Sequence, residues 1–416
     1  MTHEQAPLVP LTPDQARHFD WMTAPHLRRI VDALTASAPG AARYVGGCVR
    51  DSLRGIAPKD VDIAVAMPPE KSLEALDAAG IRAVPTGLAH GTVTAVFDAG
   101  VAEITSLRAD VATDGRRAVV AFTDDWREDA KRRDFTVNAL YLTPDGALYD
   151  PEGGIADLAA GRVRFIGAAA DRIREDYLRI MRFFRFSARF ASDAFDPDGL
   201  AACAELRAGI AQLSAERVGQ ELSALLALPA PGAALRAMQE SGVLGEIYPG
   251  AADLSSVERL KRELPEAAPA LVAAALWGAA DNDDLNARLR WSNAVARRRA
   301  NAPAAADLVA ASAGMVAARG VLYRIGQASF RDGVWLAKAQ GRINAAQMAD
   351  AFALADHRPP PAFSLGGDDA IAAGVAPGPD VGAVLRAVEQ RWIAADFPDE
   401  AWLKAALADE VASRRS

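Results

Sequence analysis

A chain of 416 residues is too long for one ordinary hydrophobic core, so about two to four domains are expected. With 46 basic against 54 acidic residues the net charge is -8, which excludes a uniformly basic nucleic-acid binder and confines any RNA contact to a localised basic face. Two cysteines, Cys48 and Cys203, supply neither a disulfide framework nor metal-ligand spacing, which points to a reducing cytoplasm. The N-terminus, Met1-Thr-His-Glu-Gln-Ala-Pro7, has no signal-peptide pattern. The longest apolar stretch, residues 267–280, lies between Glu266 and Asp281 and is too short for a bilayer, so no membrane partner is expected. It reads as a core helix.

Residues 1–26 are proline-rich and read as an N-terminal arm, overlapped at its end by a helix from Pro25 to Ala36 with Leu27, Ile30, Val31 and Leu34 on one face. Then comes Arg43-Tyr-Val-Gly-Gly-Cys-Val-Arg-Asp51, followed by Asp60-Val-Asp-Ile-Ala-Val65. The pattern is strand, glycine turn, helix start and a second strand carrying two carboxylates. Residues two apart on a strand share a face, so Asp60 and Asp62 are expected to project together beside the turn. Gly46 and Gly47 let backbone N–H groups approach a phosphate, and the following helix adds its positive end. Carboxylates beside a phosphate cradle suit Mg²⁺, which binds through one or two carboxylates plus phosphate oxygens. The chemistry this implies is phosphoryl or nucleotidyl transfer on two metals.

Glu70–Ala79 reads as a helix, and Ile81–Val84, Thr92–Phe97 and Val101–Ser106 read as β-branched strands. Glu103, on the last of these, either faces the same metals or pairs with Arg108. Residues 110–127 are charged and turn-rich and read as a mobile loop or hairpin. In Glu128-Asp-Ala-Lys-Arg-Arg-Asp-Phe-Thr-Val-Asn-Ala-Leu140, the forks of Arg132 and Arg133 suit phosphate, and Asp134 and Asn138, four apart on a helical face, suit ribose hydroxyls. In Arg172-Ile-Arg-Glu-Asp-Tyr-Leu-Arg-Ile-Met-Arg-Phe-Phe-Arg-Phe186, Asp176, Arg179 and Arg182 step by three along one helical face. Taken alone, that stretch reads as an amphipathic helix with an i,i+3 salt bridge worth a few tenths of a kcal/mol. From residue 168 onward helical periodicity dominates, interrupted by prolines. Arg288, Arg290 and Arg297-Arg298-Arg299 form a basic cluster suited either to an RNA backbone or to a solvated face.

Together, these stretches and Asp150-Pro-Glu-Gly-Gly-Ile-Ala-Asp-Leu158 resemble, in content and order, the nucleotidyltransferase family of bacterial CCA-adding enzymes and poly(A) polymerases. The resemblance covers about residues 43–190. It implies an α+β fold: a mixed-sheet catalytic head over 27–167, then an all-helical neck over 168–229, body over 230–345 and tail over 346–416, the tail holding tRNA. It implies that Asp60 and Asp62 hold catalytic Mg²⁺, with Glu103 as a candidate third ligand. It also implies a nucleotide site made of Gly46, Gly47, Arg50, Asp51, Arg132, Arg133, Asp134, Asn138, Asp176, Arg179 and Arg182, with Asp176 and Arg179 reading the base. The chemistry agrees. Cytosine and adenine both place an amine donor beside a ring-nitrogen acceptor, matching a carboxylate and a guanidinium, whereas uracil and guanine present the reverse.

Within that family, poly(A) polymerases tend to carry a basic signature where this chain has Thr86-Gly87-Leu88-Ala89. No His-Asp dipeptide occurs, which argues against an appended phosphohydrolase. The loop segment Asp114-Gly-Arg-Arg-Ala118 favours full CCA addition over CC addition. The expected function is therefore template-independent addition of C, C and A to tRNA from CTP and ATP. Poly(A) addition is the alternative in the same class, and a non-catalytic RNA-binding relative the alternative outside it. No pattern identifies a protein partner.

Overall fold

The computed structural model describes residues 7–98, 100–114, 117–190, 195–278 and 280–414, and of 110–120 the backbone alone. Gly115 and Arg116 of the loop segment, and the first six residues, lie outside the described residues. The chain forms two compact units. The first comprises residues 1–214 and 233–247, the second 215–232 and 248–416.

The first unit is built on an eight-stranded sheet. In chain order its strands are β1 (Leu8–Pro10), β2 (Ala42–Val45), β3 (Asp62–Val65), β4 (Ala83–Gly87), β5 (Thr92–Phe97) and β6 (Gly100–Ser106). A separate hairpin, β7 (Arg108–Asp114) with β8 (Arg117–Phe122), precedes the last two sheet strands, β9 (Tyr141–Leu142) and β10 (Ala147–Tyr149). The sheet order is β1-β10-β9-β2-β3-β6-β5-β4. Leu8–Pro10, inside the expected arm, is thus an edge strand paired antiparallel to β10. Only β3 and β6 run parallel, which requires a long crossover; the chain makes it through a helix and the β4–β5 hairpin.

Helices in this unit are α1 (Pro13–Ala16), α2 (Pro25–Ser37), α3 (Gly47–Leu53), α4 (Pro69–Ala78), α5 (Trp126–Lys131), α6 (Gly154–Ala159), α7 (Ala169–Glu175), α8 (Leu178–Phe190) and α9 (Pro197–Leu206). The four residues expected on one face of α2 are all buried, each contributing about 1.5–3 kcal/mol gross. They join Tyr44, Ile63, Val65, Leu76, Val93 and Ile104 in a core on one side of the sheet. Val45, Ala64, Trp126, Ala130 and Tyr141 fill the other side. Both faces of β3 are therefore covered, which is why Ile63-Ala-Val65 reads as continuously apolar. The alternation also fixes direction: Asp62 shares the face of Ala64, on the side where α5 packs.

Helix α8 is held by an aromatic cluster in which Phe165 and Phe183 stack at 5.5 Å and Phe135 meets Phe186 edge-on at 5.6 Å. Gly154 opens α6 against Thr136, whose carbonyl would lie 2.2 Å from an added Cβ, so no larger residue fits there. The unit also includes α11 (Gly232–Glu240) and α12 (Val243–Ile247).

The second unit, as described, contains helices and no strand. It holds α10 (Ala215–Leu226), α13 (Leu254–Glu263), α14 (Pro269–Trp277), α15 (Asn282–Leu289), α16 (Asn293–Ala311), α17 (Gly314–Ala339), α18 (Ala345–His357), α19 (Gly367–Ala372), α20 (Pro379–Ala394) and α21 (Glu400–Ser413). Helix α14 is the expected core helix, buried from Ala270 to Trp277. The C-terminal helices of the unit build a separate cluster on Val388, Trp392, Leu403 and Leu407. No helix among the described residues is long and apolar enough to cross a membrane.

Candidate active site

Strand β2 ends at Val45, the chain turns at Gly46, and α3 starts at Gly47. Because β3 returns antiparallel to β2, its first residue, Asp62, lands beside that turn. The buried Cys48 Sγ lies 3.9 Å from the Asp62 carbonyl, and burial pushes its thiol up to about 12, too high for a nucleophile. The parallel β3–β6 pairing sets Glu103 directly opposite Asp62. Asp60 departs from expectation: β3 begins only at Asp62, so Asp60 sits in the turn before the strand rather than on its face. Loss of solvent, then the like charges of Glu103 and Asp60, raise the Asp62 carboxyl above its ordinary range, while Arg133 opposes the shift. Among the described residues no three His, Cys, Asp or Glu side chains converge in metal-holding geometry. Hard oxygen donors with unbalanced negative charge nevertheless fit a divalent cation that draws its remaining ligands from substrate oxygens.

Gly46 has φ +71°, a conformation L side chains rarely adopt, and an added Cβ would meet Arg133 Nη1 at 3.5 Å and the Asn138 carbonyl at 3.6 Å. Gly46→Ala is expected to destabilise the chain by about 1–3 kcal/mol and weaken nucleotide affinity, read from urea midpoints and CTP titration. Unchanged CTP affinity would remove the turn from the nucleotide site.

From this turn a chain of ion pairs runs to α8. Arg50, 4% exposed, donates from Nε to Asp51 at 2.9 Å and from Nη1 to Asn138 Oδ1 at 2.5 Å. Asn138 Nδ2 donates to Asp134 at 2.8 Å, and Arg182 Nε donates to Asp134 at 2.7 Å. Arg189 Nη2 donates to the other oxygen of Asp51 at 2.8 Å. Burial alone would raise the Asp134 carboxyl; Arg182 and Asn138 outweigh it and hold it below the usual range. Asp134 and Asn138 meet as expected, but not on an α-helix: Thr136–Asn138 is a single 3₁₀ turn after an extended Phe135. Asp157, fully buried, accepts from Thr136 Oγ1 at 2.7 Å and braces that turn from α6.

The arginine pair has its own anchor. Arg132 and Arg133 both bind Asp129, and Arg172 Nη2 donates to the carbonyls of both, at 2.5 and 3.0 Å. Asp176 does not share a helical face with Arg179 and Arg182. It closes α7 in extended conformation, and its Oδ1 accepts from Leu178 N at 3.1 Å. Arg179 donates to Glu175 at 2.6 Å and to the Arg132 carbonyl at 3.2 Å, which brings the base-reading candidate up against the phosphate candidates. Asp62 and Glu103 thus lie side by side at one edge of the turn, with the charge of Asp60 felt by Asp62, while Arg50, Asp51, Arg133, Asp134, Asn138 and Arg182 form one connected network.

In the second unit the basic cluster is largely spoken for. Arg298 pairs with Asp332 at 2.6 Å, Arg288 with Asp284 at 2.9 Å, and Arg299 is 2% exposed and donates to the Gly278 and Ala280 carbonyls. Arg299 is therefore a buried structural residue, whereas Arg298, with its side chain 48% exposed, is an ion-paired surface arginine.

Residues 42–164 match the model of the Poly A polymerase head domain, and 194–254 match that of the probable RNA and SrmB-binding site of polymerase A. The CCA-adding enzyme of Limosilactobacillus fermentum is 32% identical over 355 residues, covering 83% of this chain and 86% of that protein. The chain belongs to the CCA-adding enzyme and poly(A) polymerase family of nucleotidyltransferases. The mitochondrial CCA tRNA nucleotidyltransferase 1 of Danio rerio is 42% identical over 259 residues, a match spanning 60% of this chain and 60% of that protein. The solved structure of the Bacillus stearothermophilus CCA-adding enzyme in complex with CTP superposes with a TM-score of 0.74 at 26% identity, covering 94% of this chain and 99% of that one. Membership confirms the expected fold class, a mixed-sheet head followed by helices.

Proposed function

We propose that the chain adds C, C and A to tRNA 3′ ends from CTP and ATP, releasing pyrophosphate. The observation that carries this reading is the convergence of Asp62, Glu103 and Arg133 on the Gly46–Gly47 turn, wired through Asn138 and Asp134 to α8. Asp60 and Asp62, with Glu103 beside them, would hold Mg²⁺. Bound there, Mg²⁺ would neutralise triphosphate charge and help ionise the attacking 3′-hydroxyl. The chain's own residues do the positioning. The glycine turn and Arg50 cradle phosphate, Arg132 and Arg133 take triphosphate oxygens, and Asp134 and Asn138 take ribose hydroxyls. Asp176 accepts from the base amine while Arg179 donates to the ring nitrogen, so U and G would leave charged groups unpaired.

The helical segments 168–229, 230–345 and 346–416 act as neck, body and tail, with the tail holding tRNA. The cytoplasm is the proposed site of action. The deciding assay incubates the protein with tRNA lacking its 3′ end and each nucleotide singly and together. The expected product is a CCA end of fixed length. Long oligo(A) products would establish poly(A) addition instead, and no extension with intact CTP binding would sink the enzyme reading.

A further inference from the structure

We propose that Asp129 is a positioning residue that sets the two triphosphate-facing arginines and ties them to the root of the β7–β8 hairpin. This rests on the nucleotidyl-transfer reading of the site. Asp129 lies on α5, 1% exposed, and every polar direction around it is used. Its Oδ1 accepts from Arg132 Nε at 2.7 Å and from the backbone N of Arg108, the first residue of β7, at 3.3 Å. Its Oδ2 accepts from Arg133 Nη2 at 3.1 Å, Arg133 Nε at 3.3 Å and the Tyr141 hydroxyl at 2.8 Å. Thr123 N donates to the Leu107 carbonyl at 3.0 Å, closing the hairpin root beside it.

One carboxylate between two guanidiniums leaves a net positive charge for phosphate. It also occupies Nε and Nη2 of Arg133, which turns Nη1 toward the Gly46 turn, where it donates to the Asn138 carbonyl at 3.4 Å. Take away that charge and the two cations repel, so their forks no longer point at one place. The contact with Arg108 makes the arrangement sensitive to the hairpin, because displacing β7 removes a donor from the oxygen that holds Arg132.

Equilibrium binding without RNA separates this role from a general structural one. Asp129→Asn is expected to weaken CTP and ATP binding by about 10- to 100-fold while leaving CMP, held through base and ribose, within about twofold. Amide exchange at Arg108 should quicken in the same variant. Tyr141→Phe, which removes one donor and no charge, should weaken CTP by about two- to fivefold with CMP again unchanged. Should Asp129→Asn fail to fold, Tyr141→Phe carries the test. Unchanged CTP affinity in a folded variant, or a parallel loss of CMP, overturns the proposal. A wild-type chain that binds CTP but never extends tRNA would overturn the proposed function and leave this role of Asp129 standing.

Discussion

Asp62→Ala is expected to abolish incorporation of C and A alike, lowering kcat on the order of 10³-fold or more while CTP binding falls far less. The reason lies in where the residue sits. Asp62 opens β3 beside the glycine turn, with Glu103 opposite in register, and in the proposed mechanism it serves the reacting phosphate rather than either base. The proposed triphosphate cradle of Gly46, Gly47, Arg50 and Arg133 is untouched by the change, so CTP binding should persist.

Proton linkage gives a second readout. Desolvation, Glu103 and Asp60 raise the Asp62 carboxyl in the folded chain, so the folded state binds more protons than the unfolded state between the two values. Stability is therefore lost as pH rises through that window. A divalent cation reverses it: at 100 times its dissociation constant it adds about 2.7 kcal/mol. Mg²⁺ should raise Tm in the wild type and not in Asp62→Asn, whose own metal-free Tm at pH 7 should not fall. Single-nucleotide extension gels and thermal melts with and without Mg²⁺ make both measurements. Near-normal turnover in Asp62→Ala would remove the residue from the mechanism.

How much of this was legible in the sequence depended on whether the signal was local. The helix at 25–37, the glycine turn and strands β5 and β6 follow from period and turn chemistry acting over a few residues. Two errors share a cause. Asp60 and Asp176 were placed by spacing on regular elements, yet each lies just outside one, where the backbone leaves the ladder for a turn or a cap. Spacing rules assume the element continues, and functional carboxylates often stand where it stops. The parallel pairing of Asp62 with Glu103 needs a crossover through residues 66–99, and nothing local announces it. Asp129 was in view within Glu128-Asp-Ala-Lys-Arg-Arg133, and its i+3 and i+4 spacing to the arginines was the available signal. In the second unit, Arg299 read as surface charge because its partners, the Gly278 and Ala280 carbonyls, are distant in sequence.

The double variant Asp176→Asn with Arg179→Gln is expected to collapse the preference for C and A without reversing it. In the wild type a carboxylate can only accept and a guanidinium can only donate, so the pair fits an amine beside a ring acceptor. An amide turns over to present either group, and two amides accept U and G about as well as C and A. The structure favours amides over a straight exchange of the two residues. Arg179 is held by Glu175 at 2.6 Å, and a carboxylate at 179 would face Glu175 as a like charge. A glutamine there can still donate to it, and an asparagine at 176 can still accept from Leu178 N, the bond that starts α8. Each bidentate contact discriminates by about 1–3 kcal/mol, so the ratio of UTP and GTP use to CTP and ATP use should rise roughly 10- to 100-fold. Absolute rates will drop, since a glutamine is shorter than an arginine and holds the base less firmly. The ratio is therefore the quantity to read, by competition binding as well as by extension. A folded, active double variant that keeps the wild-type ratio would make Asp176 and Arg179 structural members of the α7–α8 junction, with the base read by other side chains.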